Sequence, residues 1–175
     1  MTYTNDDSAY FCQELVYRKS KLYVIEYMAE KDFYINVQNK ILLFQNKKDI
    51  KKYTEKAKIS IKEEDILEER INLDKLVNWL KEENSVVNNS EFLTLWNFFD
   101  DVSISIGKTF IGNNNDYDCV YTKLFYGNNL PAINTSGKEY NPEWNESEVI
   151  QFNRVMENGL KLFQENIEIY VFLNR

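Results

Sequence analysis

Apolar residues recur along this chain in two rhythms, every second position in places and every third or fourth in others, and the alternation between them lays out the elements. "KLYVIEYM" (21 to 28) is rich in β-branched and aromatic residues and predicts a strand, and "DFYINVQNKILLFQ" (32 to 45) predicts two short strands around an Asn39-Lys40 turn. Before them, "AYFCQELVYR" supports both periods. Phe11 with Leu15 and Cys12 with Val16 fit a helix, the β-branched and aromatic content also permits a strand, and the balance goes to the helix.

From Asn46 onward the period lengthens. Asn46 caps a helix over "KKDIKKYTEKAK" with Ile50, Tyr53 and Ala57 on one face. Asn72 caps a second, striped by Leu73, Leu76, Val77 and Leu80, and "NSVVNNS" interrupts it. Ser90 is the candidate cap of a third, with Phe92, Leu95, Trp96 and Phe99 inward and Gly107 at its end. A fourth runs from Tyr117 to Tyr126, with Val120, Leu124 and Tyr121 on its apolar face and Gly127 as terminator. Residues 127 to 145 have no period and hold both prolines, and loops of that length often carry function. A last helix spans Glu146 to Gln164, with Val149, Phe152, Val155, Met156, Leu160 and Phe163 inward, and "EIYVFLN" closes the chain as a strand. Strands first and helices afterwards imply an α+β fold: a mainly antiparallel sheet, joined by the last strand and packed against several α-helices. At 175 residues without repeat or linker, residues 1–175 read as a single domain.

Composition narrows the chemistry. The chain contains no histidine, which removes the imidazole base, the Ser-His and Cys-His pairs and the usual His-containing zinc sites. Cys12 and Cys119 are far apart and read as reduced core residues, so neither a metal nor a cofactor is expected. A net charge of −7 opposes binding to nucleic acid, whose free energy comes from neutralised phosphates, and suits a basic protein partner. With no long apolar stretch and no signal-peptide order at residues 1 to 20, no membrane association and a cytoplasmic location are expected.

Two motifs fail on inspection. "SISIGKT" lacks the earlier glycine of a phosphate loop, because Val102 stands where it should be. "GNNND" lacks the oxygen spacing and terminal Glu of a calcium loop. The lysines of residues 47 to 62 are answered by an acidic block, Glu63, Glu64, Asp65, Glu68 and Glu69, and such opposed blocks offset each other across a surface.

Asp100 and Asp101 end the aromatic run "EFLTLWNFFDD". Adjacent positions on a helix diverge by about 100°, so this pair is not preset as a catalytic dyad, which needs opposed carboxylates. Trp79, Trp96, Phe98 and Phe99 are core by spacing, whereas Tyr117, Tyr126, Tyr140 and Trp144 flank or occupy the irregular loop, where aromatics beside polar groups make interface anchors.

The stretches "DFYINVQNKILLFQNKKDI", "FLTLWNFFDDVSISIG" and "KLFYGNNLPAI" resemble the immunity proteins of bacterial contact-dependent growth inhibition and related polymorphic toxin systems. The resemblance implies a protein without enzymatic activity that binds a cognate toxin domain, often a nuclease, and covers its active site; an EndoU-type RNase is one partner class. The candidate partner-binding residues are Asp100 and Asp101, Asp116, Tyr117 and Asp118, Tyr140 and Trp144, with Glu63, Glu64 and Asp65 as a second face. Two competing readings are a carboxylate-dependent hydrolase, with its acid and base drawn from Asp100, Asp101 and Glu143, and a cytosolic protein-binding adaptor.

Overall fold

The computed structural model describes residues 10–28, 30–61, 66–82, 87–135 and 137–171, with only the backbone for 66–70. The elements in chain order are β1 (Tyr10–Tyr17), β2 (Ser20–Tyr27), β3 (Phe33–Tyr34), β4 (Asn36–Val37), β5 (Lys40–Leu43), α1 (Lys47–Ala57), β6 (Ile66–Asn72), α2 (Leu73–Trp79), α3 (Asn89–Ile106), α4 (Asp118–Gly127), α5 (Glu146–Glu165) and β7 (Ile167–Ile169). Two short 3-10 turns, Ile111–Asn113 and Asn115–Tyr117, link α3 to α4. The fold is α+β, as the order of rhythms implies.

The strands form two sheets, ordered β3-β2-β1-β6 and β4-β5-β7, joined where Tyr23 and Phe44 exchange backbone hydrogen bonds. Three of the strand pairings are antiparallel, while β6 runs parallel to β1 and β7 parallel to β5. Alternate strand residues separate into two cores, because successive side chains leave a strand on opposite faces. Leu15, Tyr17, Leu22, Val24, Ile41 and Leu43 join the large core with α3 and α5; Cys12, Ile25, Leu42 and Phe44 join a small one with Ile50 of α1.

That arrangement explains why residues 10–17 form a strand and not the expected helix. β1 is an inner strand with cover on both faces, so Gln13 and Glu14 are buried along with Cys12 and Leu15, and burial leaves no clean alternation to read. The β1–β2 turn is equally cryptic. Arg18 (φ 51°) and Lys19 (φ 60°) take the left-handed conformation of a tight hairpin turn without a glycine or asparagine. The Asp74 carboxylate holds them there, accepting the Arg18 N–H at 2.8 Å and the Lys19 N–H at 2.6 Å.

The second turn is centred on Gln38 and Asn39 (φ 52° and 60°), one residue before the expected Asn39-Lys40 pair. Asn46 and Asn72 cap α1 and α2 as expected. α3 starts earlier than Ser90, since the Asn88 side chain accepts the Glu91 N–H at 3.1 Å, and it ends at left-handed Gly107 (φ 66°). Gly127 is the last residue of α4, not the residue beyond it, and the adjoining turn places Asn129 in the left-handed region (φ 51°). α5 opens with a reciprocal capping box between Asn145 and Glu148. It packs so closely on α3 that a Cβ at Gly159 would collide with the Phe99 ring. The polar lead-in at residues 1 to 8 and much of "NSVVNNS" lie outside the described residues.

Candidate functional site

α3 is buried along most of its length, with Phe92, Leu95, Trp96, Phe98, Phe99 and Val102 all in the large core, so the side chains it can offer outward are few. Asp100 and Asp101 are two of them, and they leave the helix in different directions. Asp100 turns toward the α3–α4 connection, where its Oδ1 accepts the Asn113 amide at 2.5 Å. Asp101 faces the sheet. Burial pushes its carboxyl up to about 8, and the charges of Glu26, Asp100 and Asp32 add to the rise.

Around Asp101 runs a polar seam between α3 and the sheet. Ser105 Oγ donates to the Asp101 carbonyl and accepts the Tyr34 N–H at 2.7 Å. The Tyr34 hydroxyl donates to Gln13 Oε1 at 3.2 Å, and Gln13 Nε2 donates to Glu26 Oε2 at 2.5 Å. Burial first, then the neighbouring Glu26, Asp101 and Asp32 charges, raises the Tyr34 phenol well above its ordinary value. Asp101 and Ser105 lie on α3 and Gln13, Glu26 and Tyr34 on β1, β2 and β3, so this seam fastens a helix to a sheet.

Asp100 has a different setting. With Asp118 from the first turn of α4, it lines a cleft of about 310 Å³ whose other walls are Trp96, Asn97, Gly112, Asn113 and Tyr121. The Trp96 and Tyr121 rings meet at 5.4 Å, tilted by 53°. Gly112 lets the chain pass tightly here, since a Cβ would press on the Phe110 ring and stand 3.0 Å from Trp96. Burial, then the Asp100 charge, raises the Tyr121 phenol, so the two groups share one electrostatic environment.

A second hollow of about 420 Å³ opens along α4 and the irregular loop, lined by Thr122, Lys123, Tyr126, Asn129, Ile133, Asn134, Lys138 and Tyr140. Its outer wall is held by asparagine amides. Asn129 brackets the Tyr140 backbone, accepting its N–H at 2.7 Å and donating to its carbonyl at 3.0 Å, as a neighbouring strand would. Asn134 Nδ2 donates to Asn129 Oδ1 at 3.1 Å and to the Lys138 carbonyl at 2.6 Å. Three large apolar side chains line it with much of their surface in solvent, Tyr126, Ile133 and Tyr140, and Leu130 is exposed on the same loop. The inner rim is an ion pair, Lys123 with Glu148 at 2.6 Å, and Lys123 also donates to the Glu143 carbonyl at 2.9 Å. Burial pushes Glu148 up, but hydrogen bonds from Lys123 and from the Asn145 N–H outweigh it and hold the carboxyl below its ordinary value.

The structure thus brings Asp100 and Asp118 together in one cleft and places Tyr140 in the neighbouring hollow. Asp101 belongs to the seam, so no paired dyad forms with Asp100. Asp116 is exposed on a 3-10 turn outside both hollows, and Tyr117 and Trp144 are half-buried against the large core. Trp144 lies under Lys123, whose Nζ is 5.8 Å from the ring centre, and packs on Phe152 at 5.9 Å. Glu63, Glu64 and Asp65 lie outside the described residues. Cys12 is buried, its thiol pushed up to about 12 by burial in the main, while Cys119 is exposed and not the core residue expected.

Trp96, Tyr121, Asn113 and Asn129 were not among the sequence candidates, and Tyr126 was read only as an aromatic beside the loop. Trp96 reads as core because it is core; only its edge reaches the cleft. Among the described residues no group of three or more Asp, Glu, Cys or His is placed to hold a metal ion, and no helix is long and apolar enough to cross a membrane.

No protein-family model and no curated protein sequence matches the chain. Among solved structures it is similar to the SatS C-terminal domain, solved in complex with bromine, at 8% identity over 93% of this chain and 95% of that one, with a TM-score of 0.53; the likeness is one of fold.

Proposed function

We propose that this chain is a non-catalytic immunity protein that binds a cognate toxin domain, a nuclease, in the cytoplasm and covers its active site. One observation carries the reading. α4 is flanked on one side by an acidic, aromatic-walled cleft and on the other by a hollow with three exposed large apolar side chains, walled by a loop that its own asparagines hold in place. Exposed apolar side chains gathered in one place, with polar groups around them, are characteristic of a protein-binding surface. A rigid loop limits the conformational entropy lost on binding, and an overall charge of −7 favours encounter with a surface built to hold nucleic acid.

The hydrolase reading requires carboxylates converging on one cavity at catalytic spacing. Asp100 and Asp101 part company at α3, and Glu143 lies beside Lys123 on the other flank of α4, which supports the non-catalytic reading over that one. The adaptor reading would use the same α4 face and differs only in the partner.

The test is capture followed by assay. Tagged protein recovers its partner from source cells, and the partner's activity on RNA and DNA is measured with and without an equimolar amount of this chain. The proposal expects a nuclease silenced at a 1:1 ratio. A partner without toxic activity moves the assignment to an adaptor, and turnover of a substrate by this chain alone overturns the non-catalytic reading.

A further inference from the structure

The cleft beside α3 and α4 combines features that together specify a ligand group. Asp100 uses Oδ1 to accept from Asn113, and among the described residues its Oδ2 has no hydrogen-bond partner. Asp118 has neither a hydrogen bond to its carboxylate nor an ion pair among the described residues. Two carboxylates therefore line one cavity with no cation between them among the described residues. Water stabilises both charges while the cleft is open; a partner that covers the cleft removes that water and must supply a countercharge, or the burial is costly.

The walls narrow the choice of cation. Tyr121 presents ring surface at this cavity beside the edge of the buried Trp96, their ring centres 5.4 Å apart. A planar guanidinium stacks on aromatic faces, carries five donors that suit two carboxylates, and gives up its hydration more readily than a compact ammonium. A volume of about 310 Å³ accommodates a guanidinium and the adjoining part of its stem, and is far larger than a bare metal ion requires. Asn97 and Asn113 add amide groups at the rim.

We infer that this cleft is the recognition pocket for an arginine side chain of the partner protein, with Asp100 and Asp118 accepting its donors, Tyr121 stacking on its plane and the Trp96 edge closing the wall beside it. The inference rests on the protein-binding reading above and names the chemistry that the partner must present there. It also fits the nature of the proposed partner, since a nuclease surface is rich in arginine where it holds phosphate. Occupying such an arginine would withdraw it from the nucleic acid as well as anchor the inhibitor.

The experiment uses the isolated full chain and small probes, so it does not depend on finding the partner. N-acetyl-arginine amide, N-acetyl-lysine amide and the neutral analogue N-acetyl-citrulline amide are titrated while the Trp96 indole N–H resonance is followed by NMR, assigned with Trp96→Phe. The expected result is a saturable shift with the arginine probe at millimolar concentration, at least several-fold weaker binding of the lysine probe, and no saturation with citrulline. Asp118→Asn alone weakens the arginine response and Asp100→Asn/Asp118→Asn abolishes it; Asp118 is exposed, so its variant folds as the parent does. An unmoved Trp96 resonance, an equal response to citrulline, or full binding by the double variant overturns the assignment. The two proposals fail separately. A pocket that takes arginine in a protein that silences no nuclease leaves the pocket standing and removes the inhibitor reading. A silenced nuclease with a pocket indifferent to arginine does the reverse.

Discussion

Asp100 and Asp101 are adjacent in the chain and electrostatically unlike. One lines an open cleft and the other holds a proton in the seam between α3 and the sheet, its carboxyl pushed up to about 8 by burial and then by Glu26, Asp100 and Asp32. The consequence for stability follows from proton linkage. Between about pH 4, where the unfolded carboxyl titrates, and about pH 8, where the folded one does, the native state holds a proton that the unfolded state lacks. Stability therefore falls as pH rises through that window and levels off above it. Asp101→Asn removes the dependence without changing the shape of the side chain. It should raise the melting temperature at pH 9 by about 3–6 °C, roughly 1–2 kcal/mol after allowance for solvent screening of the exposed edge, and change it little near pH 4. Thermal melts of both proteins across pH 4 to 9 check this, and parallel curves would reject the protonated seam. The adjacency of the two aspartates showed in sequence that they diverge, because helical geometry requires it. Which of them would be buried did not show, since that depends on Glu26 and Tyr34 arriving from distant strands.

At the scale of elements, the helices were legible because each carries an apolar stripe, supported by an asparagine cap at α1 and α2 and by a terminating glycine at α3. The strands were legible only where one face meets solvent or a turn announces itself. β1 is covered on both faces and turns through Arg18 and Lys19, whose left-handed geometry depends on Asp74 more than fifty residues on. β6 rises from a run that reads as a charged surface block and pairs with β1 all the same. The irregular loop was recognised, but not its rigidity, which comes from Asn129 and Asn134 acting as local substitutes for strand neighbours. Asn129→Ala removes two hydrogen bonds to the Tyr140 backbone. It should speed hydrogen exchange at the Tyr140 amide by at least about tenfold, the equivalent of roughly 1.4 kcal/mol of local opening, while the melting temperature moves by only about 2 °C. Equal loss of protection throughout α5 would instead mean that the loop supports the whole fold.

For the whole molecule, the proposed inhibitor reading predicts that charge governs how quickly the partner is found and the α4 face how long it stays. Association steered by an overall charge of −7 weakens as salt screens it, whereas contacts inside a covered cleft are screened far less. With the captured partner, raising the salt from about 50 to 500 mM should slow association by about tenfold or more and change dissociation by less than about threefold. Reversing Asp100 and Asp118 together should quicken dissociation as well. A dissociation rate indifferent to that double change would place the interface on another face.

The pairing of β5 with β7 sets Ile41 beside Ile167, so the sheet begun in the first quarter of the chain is completed only by its last described strand. Helices can form as they emerge from the ribosome, but a strand neighbour more than a hundred residues away cannot be met until it has been made. Growing chains that stop before Ile167 leave Leu42 and Leu43 at an unpaired edge. On the proposed inhibitor reading, protection would begin only once synthesis has passed β7, and a chain interrupted before Ile167 would yield no partial dose.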